Sequence, residues 1–201
     1  MYEKKTLGYS SLYPYMGNET LNLHYNVIYD KYLNNLNRLL SKNNYNNNYS
    51  LSYLVNNIDM FNIGDRGELL YNLGAVLNHS LYFYNISDKK NNIPVGKLND
   101  AIIKKYGNYE KFKEEFNRMA NNLVGSGYTF LVLDSNKELR IINMSNQDTP
   151  YSYAFIPIMC IDLWEHAYFL DYRYDKDKYI NSFFEIVDYV NINSLYEEYI
   201  K

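Results

Sequence analysis

A chain of 201 residues and 24.0 kDa is long enough for one sizeable domain, or for two small ones sharing an interface. With 47% hydrophobic and 21% charged residues it is no disordered chain, and a net charge of -3, from 20 Lys+Arg against 23 Asp+Glu, argues against a nucleic-acid binder, which carries a basic excess. The single cysteine, Cys160, excludes an intrachain disulfide framework and any CxxC metal site.

The first residues, MYEKKTLGYSSLYPYMG, lack the apolar stretch of a secretion signal, and nowhere does the sequence approach the ~18 uninterrupted apolar residues of a membrane span. A soluble, cytoplasmic protein is expected, with no membrane and no nucleic acid among its partners. A helix is expected from Asn18 or Thr20, either of which can cap it, because Leu21, His24, Ile28, Tyr32, Leu36 and Leu39 recur at spacings of three or four. On an ideal α-helix this stripe puts His24 and Tyr32 on one face, about 12 Å apart along the axis. The N-terminal lean of helical side chains then carries the Tyr32 hydroxyl back toward His24. SKNNYNNNYS (Ser41 to Ser50) is polar and reads as a loop between the two helices of a hairpin. After Gly64 and Asp65 a second long helix runs through ELLYNLGAVLNHSLYFY, with one stripe of Leu70, Leu73, Leu77 and Leu81 and a neighbouring one of Ala75, His79 and Phe83.

From about Asp88 the composition shifts. LNDAIIKKYG and NYEKFKEEFNRMANNLV read as amphipathic helices, closed by Gly125-Ser126-Gly127. YTFLVLD, the turn SNKE and LRIINM read as a β-hairpin, and FIPIMCID as a third apolar run. WEHAYFLDYR, YINSFFEIVDYV and NSLYEEYIK return to helix. The expected class is α+β: an N-terminal antiparallel helical hairpin over 1-88, then an α/β domain over 89-201 with a small, three-stranded antiparallel sheet flanked by helices.

Only three histidines are available, His24, His79 and His166. Asp162 precedes His166 by four residues in DLWEH, a spacing that can place both side chains on one side of a helical turn. Three imidazoles and one carboxylate form a donor set suited to iron, manganese or zinc, with a position left for water or substrate. The competing reading makes each histidine a satisfied polar residue of its own helix, and spacing alone leaves both open.

DLWEHAYF (Asp162 to Phe169) resembles the D-x-W-E-H-A-Y signature of the iron/manganese superoxide dismutases. LHYNVIYDKYLNNLN resembles that family's first ligand helix, Asn78-His79-Ser80 its second-ligand motif, GSGYTFLVL its G-S-G-W-x-W-L-V strand and NQDTP its N-Q-D-x-P loop, in the family's order and over nearly the whole chain. The resemblance implies a helical hairpin followed by an α/β domain, with the site between them. It implies that His24, His79, Asp162 and His166 hold one metal ion, which cycles between +3 and +2 while two superoxide anions become dioxygen and hydrogen peroxide. Gln147 would then correspond to the glutamine beside the metal's solvent and Tyr32 to the gateway tyrosine. A small Ala75 together with Gln147 is the manganese-type arrangement, so manganese is expected first, with iron as the other candidate. Glu165 corresponds to the residue that bonds His166 of a second copy, implying a homodimer and leaving a tetramer open.

The departures gather at the entrance to the site. A histidine usual in the family is Ile28, and the tyrosine it bonds across the dimer is Phe169, so both polar partners are lost together. A lysine expected nearby is Val27, and the funnel arginine corresponds to Lys176. With less attraction for the anion, a lower activity with a weaker dependence on salt is expected. Of the family's tryptophans, Trp164 is kept, while Phe83, Tyr128 and Phe130 replace the others. Two other readings compete: a zinc hydrolase, for which no general base is evident, and a structural or interaction protein of weak catalysis, suggested by the 25 tyrosines.

Overall fold

The computed structural model describes residues 1-46 and 49-201. The chain enters its first long helix at Gly17, whose N-H donates to the Asp171 carboxylate at 2.8 Å. Neither Asn18 nor Thr20 caps the helix; Asn18 is its first residue and Thr20 is buried within it. The helix comprises α1 (Asn18–Asn22), a π-helical stretch (Leu23–Tyr29) and α2 (Asp30–Lys42). The π-helical stretch corrects the expected stripe. Leu21, His24, Leu36 and Leu39 of that stripe are buried, but the wider turns bring Tyr25, Tyr29, Leu33 and Leu40 onto the buried face as well and leave Ile28 and Tyr32 half-buried.

The connection beyond Lys42 is more than a loop, since α3 (Leu51–Asn56) lies within it, capped by Ser50; Asn47 and Asn48 of the expected loop fall outside the described residues. The helix α4 (Arg66–Asn85) completes the antiparallel hairpin. Its buried face is Leu69, Leu73, Val76, His79, Tyr82 and Phe83, whereas Leu70 is exposed and Leu77 and Leu81 are half-buried. Leu73 apart, the leucine stripe therefore flanks the packed face, and the histidine stripe is the one driven into the core.

Then come α5 (Gly96–Tyr106), α6 (Tyr109–Asn122), β1 (Gly127–Leu133), β2 (Leu139–Ser145) and β3 (Ile156–Asp162). The sheet order is β2-β1-β3 with antiparallel pairing throughout, and β1 is buried along its whole length. That explains its run of Tyr, Thr, Phe, Leu and Val without polar alternation. Three further helices close the chain: α7 (Glu165–Tyr172), α8 (Lys176–Phe183) and α9 (Tyr189–Ile200). The hairpin docks on the sheet through α4. Asn85 donates to the Ile158 carbonyl at 3.1 Å and accepts from the Cys160 N-H at 2.9 Å, satisfying two backbone groups of β3. This docking sets His79 of the hairpin against Asp162 at the end of β3.

Candidate metal centre

Three elements deliver the site. The π-helical stretch carries His24, α4 carries His79, and the turn from β3 into α7 carries Asp162 and His166. Widened helical turns of this kind are frequent at functional sites, because they re-aim a side chain without breaking the helix. One potential ligand atom from each of the four residues lies within 4.8 Å of the others. Asp162 Oδ2 is 3.2 Å from His24 Nε2, 3.4 Å from His166 Nε2 and 3.8 Å from His79 Nε2. His24, His79 and Asp162 are fully buried, and the His166 side chain is 15% exposed.

All four of these converging atoms lack a hydrogen-bond partner among the described residues. Leaving that many buried polar atoms unpaired costs about 1–3 kcal/mol each, so the arrangement calls for something bound between them. A divalent or trivalent cation fits, because it accepts lone pairs from neutral imidazoles and charge from a carboxylate at one point. Protonation states agree. Burial lowers the His24 pKa, and burial together with the other imidazoles pushes that of His79 down to about 3, so both rings are neutral at pH 7. Burial alone would raise the Asp162 pKa, but His166 and His24 reverse this and hold the group well below the usual carboxylate range.

The neighbours orient the ligands. His79 Nδ1 donates to the Ala75 carbonyl at 2.7 Å, which fixes the tautomer and leaves Nε2 facing the cluster. Asp162 Oδ1 accepts the Trp164 N-H at 2.8 Å, leaving Oδ2 for the cluster. Rings seal the site. Tyr82 stacks on His24 at 5.2 Å, Phe83 meets His24 edge-on at 4.9 Å, and Tyr29 lies on His79 at 5.4 Å. Trp164 stacks on His166 at 5.8 Å. Tyr128 faces Asp162 across the β1–β3 pairing, with its hydroxyl 3.4 Å from His79 Nδ1; Phe130 packs behind it at 5.8 Å.

Gln147 is brought to the same region from the loop after β2, buried, with both amide atoms free of a partner among the described residues. The Tyr32 ring lies 5.4 Å from that of His79. The Gln147 amide sits close enough to the Tyr32 and Tyr128 hydroxyls to favour their ionised forms slightly, although burial keeps both phenols well above their ordinary pKa. Glu165 is exposed and Ile28 half-buried, while Phe169 is 45% exposed. Lys176 is not a free charge. Its ammonium donates to the carbonyls of Asn121 at 3.3 Å and Leu123 at 3.0 Å, closing the C-terminal end of α6.

Several contributors carry no sequence signal of their own: the Ala75 carbonyl, Tyr29 and Tyr82 become neighbours of the ligands only through helix geometry. Tyr71, whose ring lies 6.0 Å from that of Tyr32, is another. Asn78, part of the Asn78-His79-Ser80 motif, donates to the Asp148 carbonyl at 3.0 Å.

Comparison with known proteins agrees with this geometry. The alpha-hairpin domain of iron/manganese superoxide dismutases matches residues 2–87, and the C-terminal domain of the same family matches residues 94–195. A protein named superoxide dismutase (Fe) from Bacteroides fragilis is 35% identical over 191 residues, covering 94% of this chain and 95% of its own. One named superoxide dismutase (Mn/Fe) from Porphyromonas gingivalis is 34% identical over 186 residues, covering 92% and 93%. A superoxide dismutase (Fe) from Legionella pneumophila is 33% identical over 179 residues, covering 89% of each. With both halves matched in order and four potential ligand atoms converging where they meet, the chain belongs to the iron/manganese superoxide dismutase family.

Proposed function

We propose that this protein is a superoxide dismutase, in which His24, His79, Asp162 and His166 hold one manganese or iron ion between a helical unit of 1-88 and an α/β unit of 89-201. The convergence of four partnerless ligand atoms within 4.8 Å, in a chain of this family, carries the reading. An ion held by these four residues would supply one-electron redox chemistry. Overall, two superoxide anions and two protons become dioxygen and hydrogen peroxide.

The protein's residues have the remaining work. The anionic Asp162 beside the neutral imidazoles of His24 and His79 sets the charge of the donor set, and the surrounding rings keep bulk water from it. Each turnover consumes two protons, and the route for them is Tyr32 to Gln147. Tyr32 is half-buried, so its hydroxyl links outside and inside, and its raised pKa keeps it protonated at neutral pH. The Gln147 amide, donor and acceptor at once, is free to pass that polarity to a molecule at the open position.

Manganese is our first assignment. A small side chain at Ala75 and a glutamine supplied by the loop favour it, and the names of the relatives keep iron as the other candidate. The active unit is assigned as a homodimer in which Glu165 bonds His166 of the second copy. His166 is the ligand that reaches the surface, and Phe169 and Leu170 leave an apolar face on the same helix. No helix among the described residues is long and apolar enough to cross a membrane. A buried free thiol at Cys160 suits the cytoplasm.

Reconstitution of the apoprotein separately with manganese and with iron, followed by superoxide dismutation assays, tests the reading. Activity with manganese alone supports both parts, and activity with both metals supports the enzyme while removing the preference. Stoichiometric binding of both metals without activity would leave a catalytically weak member of the family.

A further inference from the structure

Glycine inside a helix costs about 1 kcal/mol relative to alanine, so Gly74, in the middle of α4, calls for a reason. A Cβ built there would fall well inside van der Waals contact of the Gln147 carbonyl oxygen and 3.1 Å from its carbonyl carbon. Gly67, in the first turns of the same helix, has open space at its Cβ position. One turn after Gly74, Asn78 Nδ2 reaches the Gln147 carbonyl at 3.5 Å and that of Asp148 at 3.0 Å. The far side of the loop is held as well: the Asn146 N-H donates to the Ser126 carbonyl at 2.8 Å, and Trp164 Nε1 donates to the Asn146 carbonyl at 3.1 Å. The backbone that carries Gln147 is thus clamped between the entry to β1, Trp164 and one face of α4. That face belongs to the same turn that supplies Ala75 and His79.

We propose that Gly74 is a positioning residue: its bare Cα sets how closely the Gln147 backbone seats on α4, and therefore how far the Gln147 amide reaches toward the four-ligand cluster. By that route the residue at 74 tunes the potential of the bound ion and its choice between manganese and iron, since outer-shell donors control both. The inference rests on the reading of Gln147 given under Proposed function and extends it to a residue that touches no ligand. A side chain at 74 pushes the loop outward, which weakens the donor, so it acts in the same direction as removing the amide altogether.

The test compares Gly74→Ala, Gly67→Ala and Gln147→Ala, each loaded with manganese and with iron, by metal content, midpoint potential, melting temperature and turnover. In Gly67→Ala the potential is expected to stay at the wild-type value, with equal or higher stability from better helix propensity. Gly74→Ala is expected to bind metal stoichiometrically, shift the potential in the direction of Gln147→Ala, and lose about tenfold in turnover or more. It is also expected to melt lower, against its helix propensity. A wild-type potential in Gly74→Ala beside a shifted Gln147→Ala would overturn the role of Gly74. A wild-type potential in Gln147→Ala would instead overturn the reading of Gln147. Should Gly74→Ala not fold, Asn78→Ser releases the same loop from the same helix face; a smaller shift in the same direction is expected, and an unchanged potential counts against the proposal.

Discussion

Trp164 joins the candidate ligand His166 to the loop that carries Gln147: its ring stacks on the imidazole at 5.8 Å with 27° between the planes, while its indole N-H donates to the Asn146 carbonyl at 3.1 Å. The two contacts can be separated. Trp164→Phe keeps a ring against His166 and removes the donor, so metal content is expected to hold while turnover drops about tenfold, the usual scale for an outer-shell partner. Trp164→Ala removes both and is expected to lose metal as well. Metal analysis beside steady-state rates checks this; wild-type turnover in Trp164→Phe would show that the hydrogen bond to Asn146 carries nothing, and equal behaviour of the two variants that the ring contact with His166 carries nothing.

The four candidate ligands were legible because they rest on local patterns: three histidines in all, Asp162 and His166 four residues apart, and motif order. The hairpin and the three strands were legible for similar reasons. The π-helical stretch was not, since one extra residue per turn leaves spacings of three and four nearly intact while rotating Ile28 and Tyr32 away from the buried face. Nor could pattern decide between the two stripes of α4. Leu70, Leu77 and Leu81 are the more hydrophobic set, yet docking on β3 through Asn85 selects the face of His79. The seating of Gln147 on Gly74 joins residues 73 positions apart and exists only in the folded chain.

Lys176, which the resemblance sets at the place of the funnel arginine, is engaged within its own subunit. Bound to the carbonyls of Asn121 and Leu123, it closes α6 and offers little free field to an incoming anion. Lys176→Gln is therefore expected to lower stability by about 0.3–1 kcal/mol, the range for a cation at a helix C-terminus. It should change the salt dependence of kcat/KM only slightly. With a net charge of -3 and Val27 at the surface, the wild-type rate itself is expected to fall only weakly as salt rises. Rates measured across ionic strength decide both points, and a steep salt dependence abolished in Lys176→Gln would refute them.

Asp134 provides a pH test remote from the metal. Its carboxylate accepts from Arg140 Nε at 2.7 Å and from the N-H groups of Asn136 and Glu138 at 2.8 and 3.0 Å, holding the β1–β2 turn. These partners, Arg140 foremost, lower its pKa in the folded state. The unfolded chain then takes up the proton first as pH falls, so the stabilisation is complete above the ordinary carboxylate value of about 3.9 and is lost as pH drops through the lowered one. Asp134→Asn is expected to melt below wild type at pH 7, with the gap constant down to about pH 5 and closing in stronger acid. A gap that widens on acidification contradicts this assignment.

The paired loss of polar atoms at Ile28 and Phe169 makes the most specific statement about assembly. Phe169 stands 45% exposed on α7, beside Glu165 and His166, and Ile28 lies half-buried one turn beyond His24. If the two meet across a homodimer, restoring one polar group alone buries it against an apolar side chain, at a cost of about 1–3 kcal/mol. Ile28→His and Phe169→Tyr should therefore each weaken the dimer. The double variant, in which imidazole and phenol can bond, should recover part of the loss, with a coupling of about 0.5–3 kcal/mol between the sites. Dimer dissociation measured by sedimentation for all four proteins yields that coupling directly. Strict additivity would mean that Ile28 and Phe169 do not touch, and a chain that stays monomeric at every concentration would remove the dimer itself. A coupling confined to the dimer, with metal content unchanged in all four, would show that an apolar contact holds the place of one polar branch of the entrance.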